Sequence, residues 1–169
     1  MAELKGSKTE ENLKEAFAGE SQANRTYLAF ARQADKEGHA QVAKLFRAAA
    51  EAETIHAHAH LKALGGIGST AENLKNAIVG ETHEFTSMYP VMIVAAEQED
   101  QREALRSFSL ANAVERVHAE LYQKALGSLG SNTEVEYYIC PVCGNTLEGR
   151  PEQPCGVCGA AARVFYKVD

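Results

Sequence analysis

The sequence predicts a mainly α protein, a four-helix bundle followed by a small β-type module built round four cysteines. Three observations carry that prediction. From Ser7 to about Leu126 the chain is rich in Ala, Leu, Glu, Lys and Gln with helical periodicity and no strand-like alternation. A block of that region occurs twice. All four cysteines fall between Cys140 and Cys158 as two close pairs.

The helices take their bounds from caps and breakers. Ser7 with Glu10, and Ser69 with Glu72, have capping-box spacing, while Gly38, Gly65-Gly66 and Gly127 stand where helices stop. Four helices result, over about 8–37, 39–64, 70–98 and 101–126. Pro90 removes a backbone donor inside the third, yet the apolar pattern resumes at Val91, which predicts a kink just after Met88-Tyr89 and no break. Gly, Ser, Asn and Thr between 127 and 133 make a linker, and Tyr137-Tyr138-Ile139 and Val164-Phe165-Tyr166 read as short strands flanking the cysteines. The expected domains are 1–130 and 135–169.

The repeat constrains the fold further. Glu11-Asn12-Leu13-Lys14 with Gly19-Glu20 returns as Glu72-Asn73-Leu74-Lys75 with Gly80-Glu81, an offset of 61. Phe46 with Glu53-x-x-His56 returns as Phe108 with Glu115-x-x-His118, an offset of 62. Two related helical hairpins, paired, make a four-helix bundle of approximate two-fold symmetry.

The repeated elements end in Glu, Glu and His, placed where apolar residues belong. The stripes are Leu13, Phe17, Glu20, Tyr27 in the first helix, Val42, Leu45, Ala49, Glu53, His56 in the second, and Leu105, Phe108, Ala111, Glu115, His118 in the fourth. A carboxylate on a buried stripe is costly unless neutralised or coordinated. Glu and His three apart project from one helix face and deliver an oxygen and a nitrogen to one metal. Glu84, three after Glu81, has Ala23 as its counterpart and so adds a carboxylate to one side only. A surplus ligand allows exchange: ferric iron favours the anionic oxygen and ferrous iron accepts imidazole, with Glu84 and His56 as the exchanging pair. Tyr27 and Tyr89 are candidate hydrogen-bond donors to ligating carboxylates.

Cys140-x-x-Cys143-Gly and Cys155-x-x-Cys158-Gly form two knuckles that aim four thiolates at one ion. Such a set holds zinc structurally or a single iron for electron transfer, and zinc can stand in for iron in recombinant material. In the helical region two Glu-x-x-His helices facing two single-Glu helices make a dimetal cage, and that neighbour favours iron, because a di-iron site that turns over must be re-reduced.

Composition sets outer bounds. A net charge of −6, from 17 Lys and Arg against 23 Asp and Glu, lacks the basic patch that nucleic acid demands and suits cations. No window approaches the roughly 20 apolar residues of a membrane span, and no apolar leader precedes the first helix. A cytoplasmic protein with reduced thiols is expected.

Taken together, Gly19-Glu20, Glu53-x-x-His56, Gly80-Glu81-x-x-Glu84, Met88-Tyr89-Pro90, Glu115-x-x-His118 and the two knuckles resemble the rubrerythrin family over nearly the whole chain. The resemblance implies a ferritin-like di-iron domain ligated by Glu20, Glu53, His56, Glu81, Glu84, Glu115 and His118, with Glu53 and Glu115 bridging. It implies the Glu84/His56 exchange, hydrogen-bonding roles for Tyr27 and Tyr89, and a rubredoxin-like iron at Cys140, Cys143, Cys155 and Cys158. The implied activity is reduction of hydrogen peroxide to water in oxidative-stress defence. Electrons would come through the four-cysteine iron from an external rubredoxin or an NAD(P)H-linked reductase, since the chain has no Gly-x-Gly-x-x-Gly fingerprint of its own. A homodimer or higher homo-oligomer is implied, some family members exchanging helices between chains. The same bundle supports a ferroxidase that oxidises iron with O2, against which the electron-transfer module argues. A non-enzymatic module with a structural zinc ribbon is the third reading.

Overall fold

The computed structural model describes residues 4–168. The helical order is α1 (Lys8–Lys36), α2 (Ala40–Ala63), α3 (Thr70–His83), a π-helical turn (Glu84–Met88), α4 (Tyr89–Gln98) and α5 (Arg102–Gly127). Three strands follow: β1 (Tyr137–Ile139), β2 (Thr146–Glu148) and β3 (Tyr166–Val168). The chain divides into two compact units, one ending at Gly68 and the other beginning at Ser69. Each contains one helical hairpin; the cysteine module belongs to the second.

The caps act as their chemistry requires. Ser7 Oγ accepts from the Glu10 backbone N–H at 3.1 Å. At Ser69 the box is reciprocal: its Oγ accepts from Glu72 N–H at 3.3 Å, and Glu72 Oε2 accepts from Ser69 N–H at 2.8 Å.

In the first unit the interface between α1 and α2 is lined by small residues. Ala31 and Ala34 on α1, and Ala43, Ala50 and Ala57 at heptad spacing on α2, are buried, which lets the two backbones approach closely. Asn24 ties the helices together, its Nδ2 donating to the Ala50 carbonyl at 2.7 Å and to Thr54 Oγ1 at 2.8 Å. The stripe expected to be buried on α2 is a different face: Val42 and Leu45 are 46 % and 67 % exposed within the hairpin. Apolar periodicity alone does not distinguish the face that closes a hairpin from a second face carrying Glu53 and His56, and alanine, short enough for close packing, took the first.

The third helix runs on past Pro90 as expected, but its irregularity precedes the proline. Tyr89 N–H bonds back to the Glu84 carbonyl, one residue farther than in an α-helix. Pro90 stands in the first turn of α4, where a missing N–H costs least. The turn also explains the repeat: residues before it match the first hairpin at an offset of 61, and residues after it, Tyr89 against Tyr27 included, at 62. One residue was inserted, and the wide turn holds it.

The connections obey the same repeat. Gly38, at φ +81°, and Asp100, at φ +50°, each occupy the left-handed position between the helices of a hairpin. In both, the next backbone N–H returns to the helix end: His39 to Ala34 at 2.8 Å and Gln101 to Ala96 at 2.9 Å.

The strands form one antiparallel sheet in the order β2-β1-β3, with Tyr138 opposite Leu147 and Lys167. The last strand begins two residues later than the sequence suggested, because Ala162–Val164 close a 3-10 turn. Strand β2 was not anticipated; three residues carry no periodicity, and its pairing with β1 defines it.

Asp100 accepts the left-handed cost that glycine escapes. Asp100→Gly is expected to raise stability by about 0.5 to 1 kcal/mol, read as a higher denaturant midpoint at unchanged slope.

Candidate metal centre

Each hairpin builds a trio of ligand atoms from the repeat. In the first, α1 supplies Glu20 and α2 supplies Glu53 and His56; one ligand atom from each lies within 4.8 Å of the others. In the second, Glu81 on α3 joins Glu115 and His118 on α5 in the same way. The two agree closely. His56 Nδ1 is 2.9 Å from Glu53 Oε2 and 3.8 Å from Glu20 Oε1; His118 Nδ1 is 2.8 Å from Glu115 Oε2 and 3.9 Å from Glu81 Oε2. Neighbouring ligands at right angles on an ion with bonds of 2.0 to 2.2 Å stand about 3 Å apart, so both trios fit a metal.

The electrostatics fit as well. Burial, then a hydrogen bond and repulsion from Glu115, push Glu81 up from 4.5 to about 7. Glu84 is raised by burial and by Glu115. Burial and the charges of Glu115, Glu84 and Glu81 raise the Tyr89 phenol. Carboxylates crowded into a partly dry site are short of positive charge, which a cation supplies.

Other expected residues are placed as follows. Glu84 opens the π turn and its carboxylate is not part of the Glu81, Glu115, His118 trio. Tyr27 packs on Phe46 with ring centroids 6.2 Å apart, and Tyr89 on Phe108 at 6.3 Å, a further pair related by the repeat. Among the described residues, neither phenol hydrogen-bonds a carboxylate of its own hairpin. Tyr122 was missed. Burial and the charges of Glu81 and Glu115 raise its phenol too, and its place one turn beyond His118, on the face of Glu115, was the available signal. Thr146 was also missed; its Oγ1 lies 3.0 Å from His118 Nε2.

The cysteines gather as a second donor set. All four sulfurs lie within 4.8 Å of one another, with Cys140 to Cys158 and Cys143 to Cys155 at 3.6 Å. A tetrahedral ion with bonds of about 2.3 Å holds sulfurs roughly 3.8 Å apart, and no disulfide is present among them. The knuckles are copies of each other: Gly144 N–H donates to the Cys140 carbonyl and Gly159 N–H to the Cys155 carbonyl, both at 2.9 Å. Gly144 and Gly159 have φ of +83° and +75°, the left-handed turn that brings each second cysteine round. Burial opposes ionisation of Cys155, but the N–H groups of Cys158 and Val157 aimed at its sulfur outweigh it and lower the thiol to about 6. Burial raises Cys143, so a bound cation must draw its proton off.

Comparison with known proteins decides what this pairing of sites is. The rubrerythrin family model matches residues 11–126. The chain belongs to the rubrerythrin family. It is 36 % identical to rubrerythrin-2 of Clostridium acetobutylicum, over 96 % of this chain and 97 % of that protein. It is 39 % identical to the rubrerythrin of Porphyromonas gingivalis, over 87 % and 82 %. Among solved structures, partially reduced nigerythrin aligns with a TM-score of 0.59 at 32 % identity, covering 99 % of this chain and 91 % of nigerythrin. Rubrerythrins are di-iron proteins of the oxidative-stress response, with a ferritin-like helical domain and a rubredoxin-like module. The fold class and the iron cofactors expected from the sequence are thus those of the family.

The raised Glu81 sets a pH dependence. A carboxyl whose folded pKa is raised contributes stability below its unfolded value, near 4.5, and loses it as pH rises through about 7. With the carboxylate and histidine ligands free of metal, Glu81→Gln should melt higher than the parent at pH 7.5, and the difference should shrink towards pH 5.

Proposed function

We propose that this protein is a cytoplasmic peroxidase that reduces hydrogen peroxide to water and is re-reduced through its four-cysteine iron. The observation that supports this reading over a ferroxidase is the seating of the cysteine module. It lies in the same unit as the second hairpin, against α5, with Thr146 of β2 on the ring of His118 and Lys124 of α5 paired with Glu148. Iron storage has no need of an electron-transfer module beside a ligand.

Bound iron supplies the electrons of the net reaction, in which peroxide, two electrons and two protons give two waters. The chain's groups manage ligation and protons. Glu20, Glu53, His56, Glu81, Glu115 and His118 are the proposed ligands that would hold iron, with Glu53 and Glu115 as the carboxylates that would be shared and Glu84 and His56 as the pair that would alternate with oxidation state. Glu81, held near 7 by burial and Glu115, is suited to give and recover a proton at neutral pH. The phenols of Tyr89 and Tyr122, kept protonated by burial and the carboxylates, are donors to charge developing on oxygen; Tyr27 has the same role in the first hairpin. Cys140, Cys143, Cys155 and Cys158 would hold an iron, which when bound would supply one-electron chemistry between the site and an external rubredoxin or NAD(P)H-linked reductase. A homodimer or larger homo-oligomer is part of this reading.

The test is an anaerobic mixing experiment on fully reduced protein. A stoichiometric pulse of hydrogen peroxide is expected to restore the visible thiolate-to-iron band quickly and O2 slowly. Preference for O2 would establish a ferroxidase, and no band in any state would leave only the structural zinc ribbon. Glu84→Ala is expected to slow peroxide turnover by about tenfold or more with helical circular dichroism unchanged; unchanged steady-state rates would remove Glu84 from the exchange.

A further inference from the structure

Thr146 Oγ1 stands between two partners, 3.0 Å from His118 Nε2 and 3.2 Å from the Gly144 carbonyl, which can take its hydrogen. With the hydroxyl hydrogen on that carbonyl, the oxygen accepts from Nε2–H, and Nδ1, 2.8 Å from Glu115 Oε2, keeps its lone pair for a metal. His56 has no such hydroxyl among the described residues, and its side chain is 54 % exposed against 27 % for His118.

Thr146 is itself held by the cysteine knuckle. It follows Asn145, whose carbonyl accepts from Cys140 N–H at 2.9 Å and whose buried Nδ2 points at Cys155 Sγ at 3.6 Å. Thr146 pairs with Ile139 at the start of the sheet. The route from sulfur to imidazole is short and has few soft torsions: knuckle, Gly144 carbonyl, threonine hydroxyl, ring.

We propose that Thr146 is a positioning residue for His118. Its hydroxyl fixes the ring in the tautomer that leaves Nδ1 free to ligate, so that the cysteine module is a structural support for the histidine and carboxylate site as well as its electron source. The inference rests on Glu81, Glu115 and His118 holding a metal, and it adds a residue and a coupling that the ligand motifs do not contain. Outer groups that orient a metal-bound histidine are commonly worth a factor of ten to a hundred in affinity.

The test is cobalt(II) titration of the full chain with its four-cysteine iron in place and reduced, following the visible cobalt bands. Thr146→Val, which keeps the shape and loses the hydroxyl, is expected to bind cobalt about 10- to 100-fold more weakly; Thr146→Ser is expected to restore wild-type binding. The thiolate-to-iron band on reoxidation verifies that the cysteine module is intact, and Thr146→Ala replaces the valine variant if it is not. Wild-type affinity in Thr146→Val, or failure of Thr146→Ser to restore it, would overturn the proposal. Weakened cobalt binding rescued by serine, in a protein that does not consume peroxide, would support the role of Thr146 while refuting the peroxidase reading.

Discussion

The structure is organised around an electrostatic deficit. Each hairpin brings two carboxylates and an imidazole nitrogen to one point, and all three offer lone pairs. Without a cation such a cluster is repulsive and poorly solvated, and Glu81 responds by holding its proton to about pH 7. Everything else in the helical region serves to keep this arrangement from relaxing: long helices, caps at the starts of α1 and α3, and a seam of Ala43, Ala50 and Ala57 that sets α2 against α1 at close range. Hydrophobic burial fixes the frame, and the metal is the counter-charge that the frame lacks.

The cysteine module solves the opposite problem with the same economy of parts. Two copies of one knuckle, each closed by a left-handed glycine, surround an ion with sulfur at distances that a tetrahedron dictates. Its sheet has three strands of three residues each, too little to fold on hydrophobic burial alone. The ion and the contact with α5 make up the difference. The fold of this part of the chain and its ion are therefore inseparable.

How much of this could be seen in the sequence depends on how local each feature is. The helices, the Ser69 capping box, both Glu-x-x-His pairs and both knuckles are encoded within a few residues of one another, and the geometry agrees with them; at Ser7 only half of the expected box forms, because Glu10 accepts from Gly6 N–H instead. The repeat added what periodicity could not: it predicted that Glu20 and Glu81 play matching parts, and their distances to His56 and His118 agree to about a tenth of an ångström. What escaped is non-local. Strand β2 exists only through its partner β1. Thr146 is separated from His118 by 28 residues and nothing in its neighbourhood marks it. The face of α2 that packs in its hairpin was hidden because alanine contributes little to an apolar stripe, though it contributes most to close approach.

The π turn between α3 and α4 has a geometric meaning of its own. In a regular helix one added residue turns everything beyond it by about 100° and advances it by about 1.5 Å. An insertion after Glu81 would then have swung Tyr89, Ile93 and Ala96 away from the positions that Tyr27, Ala31 and Ala34 hold in the first hairpin. By bulging over five residues, Glu84–Met88, the helix absorbs that rotation locally, and Ala96 is buried just as Ala34 is. The second hairpin thereby carries an additional carboxylate at its widest turn without losing phase, and its departure from the repeat is confined to that turn.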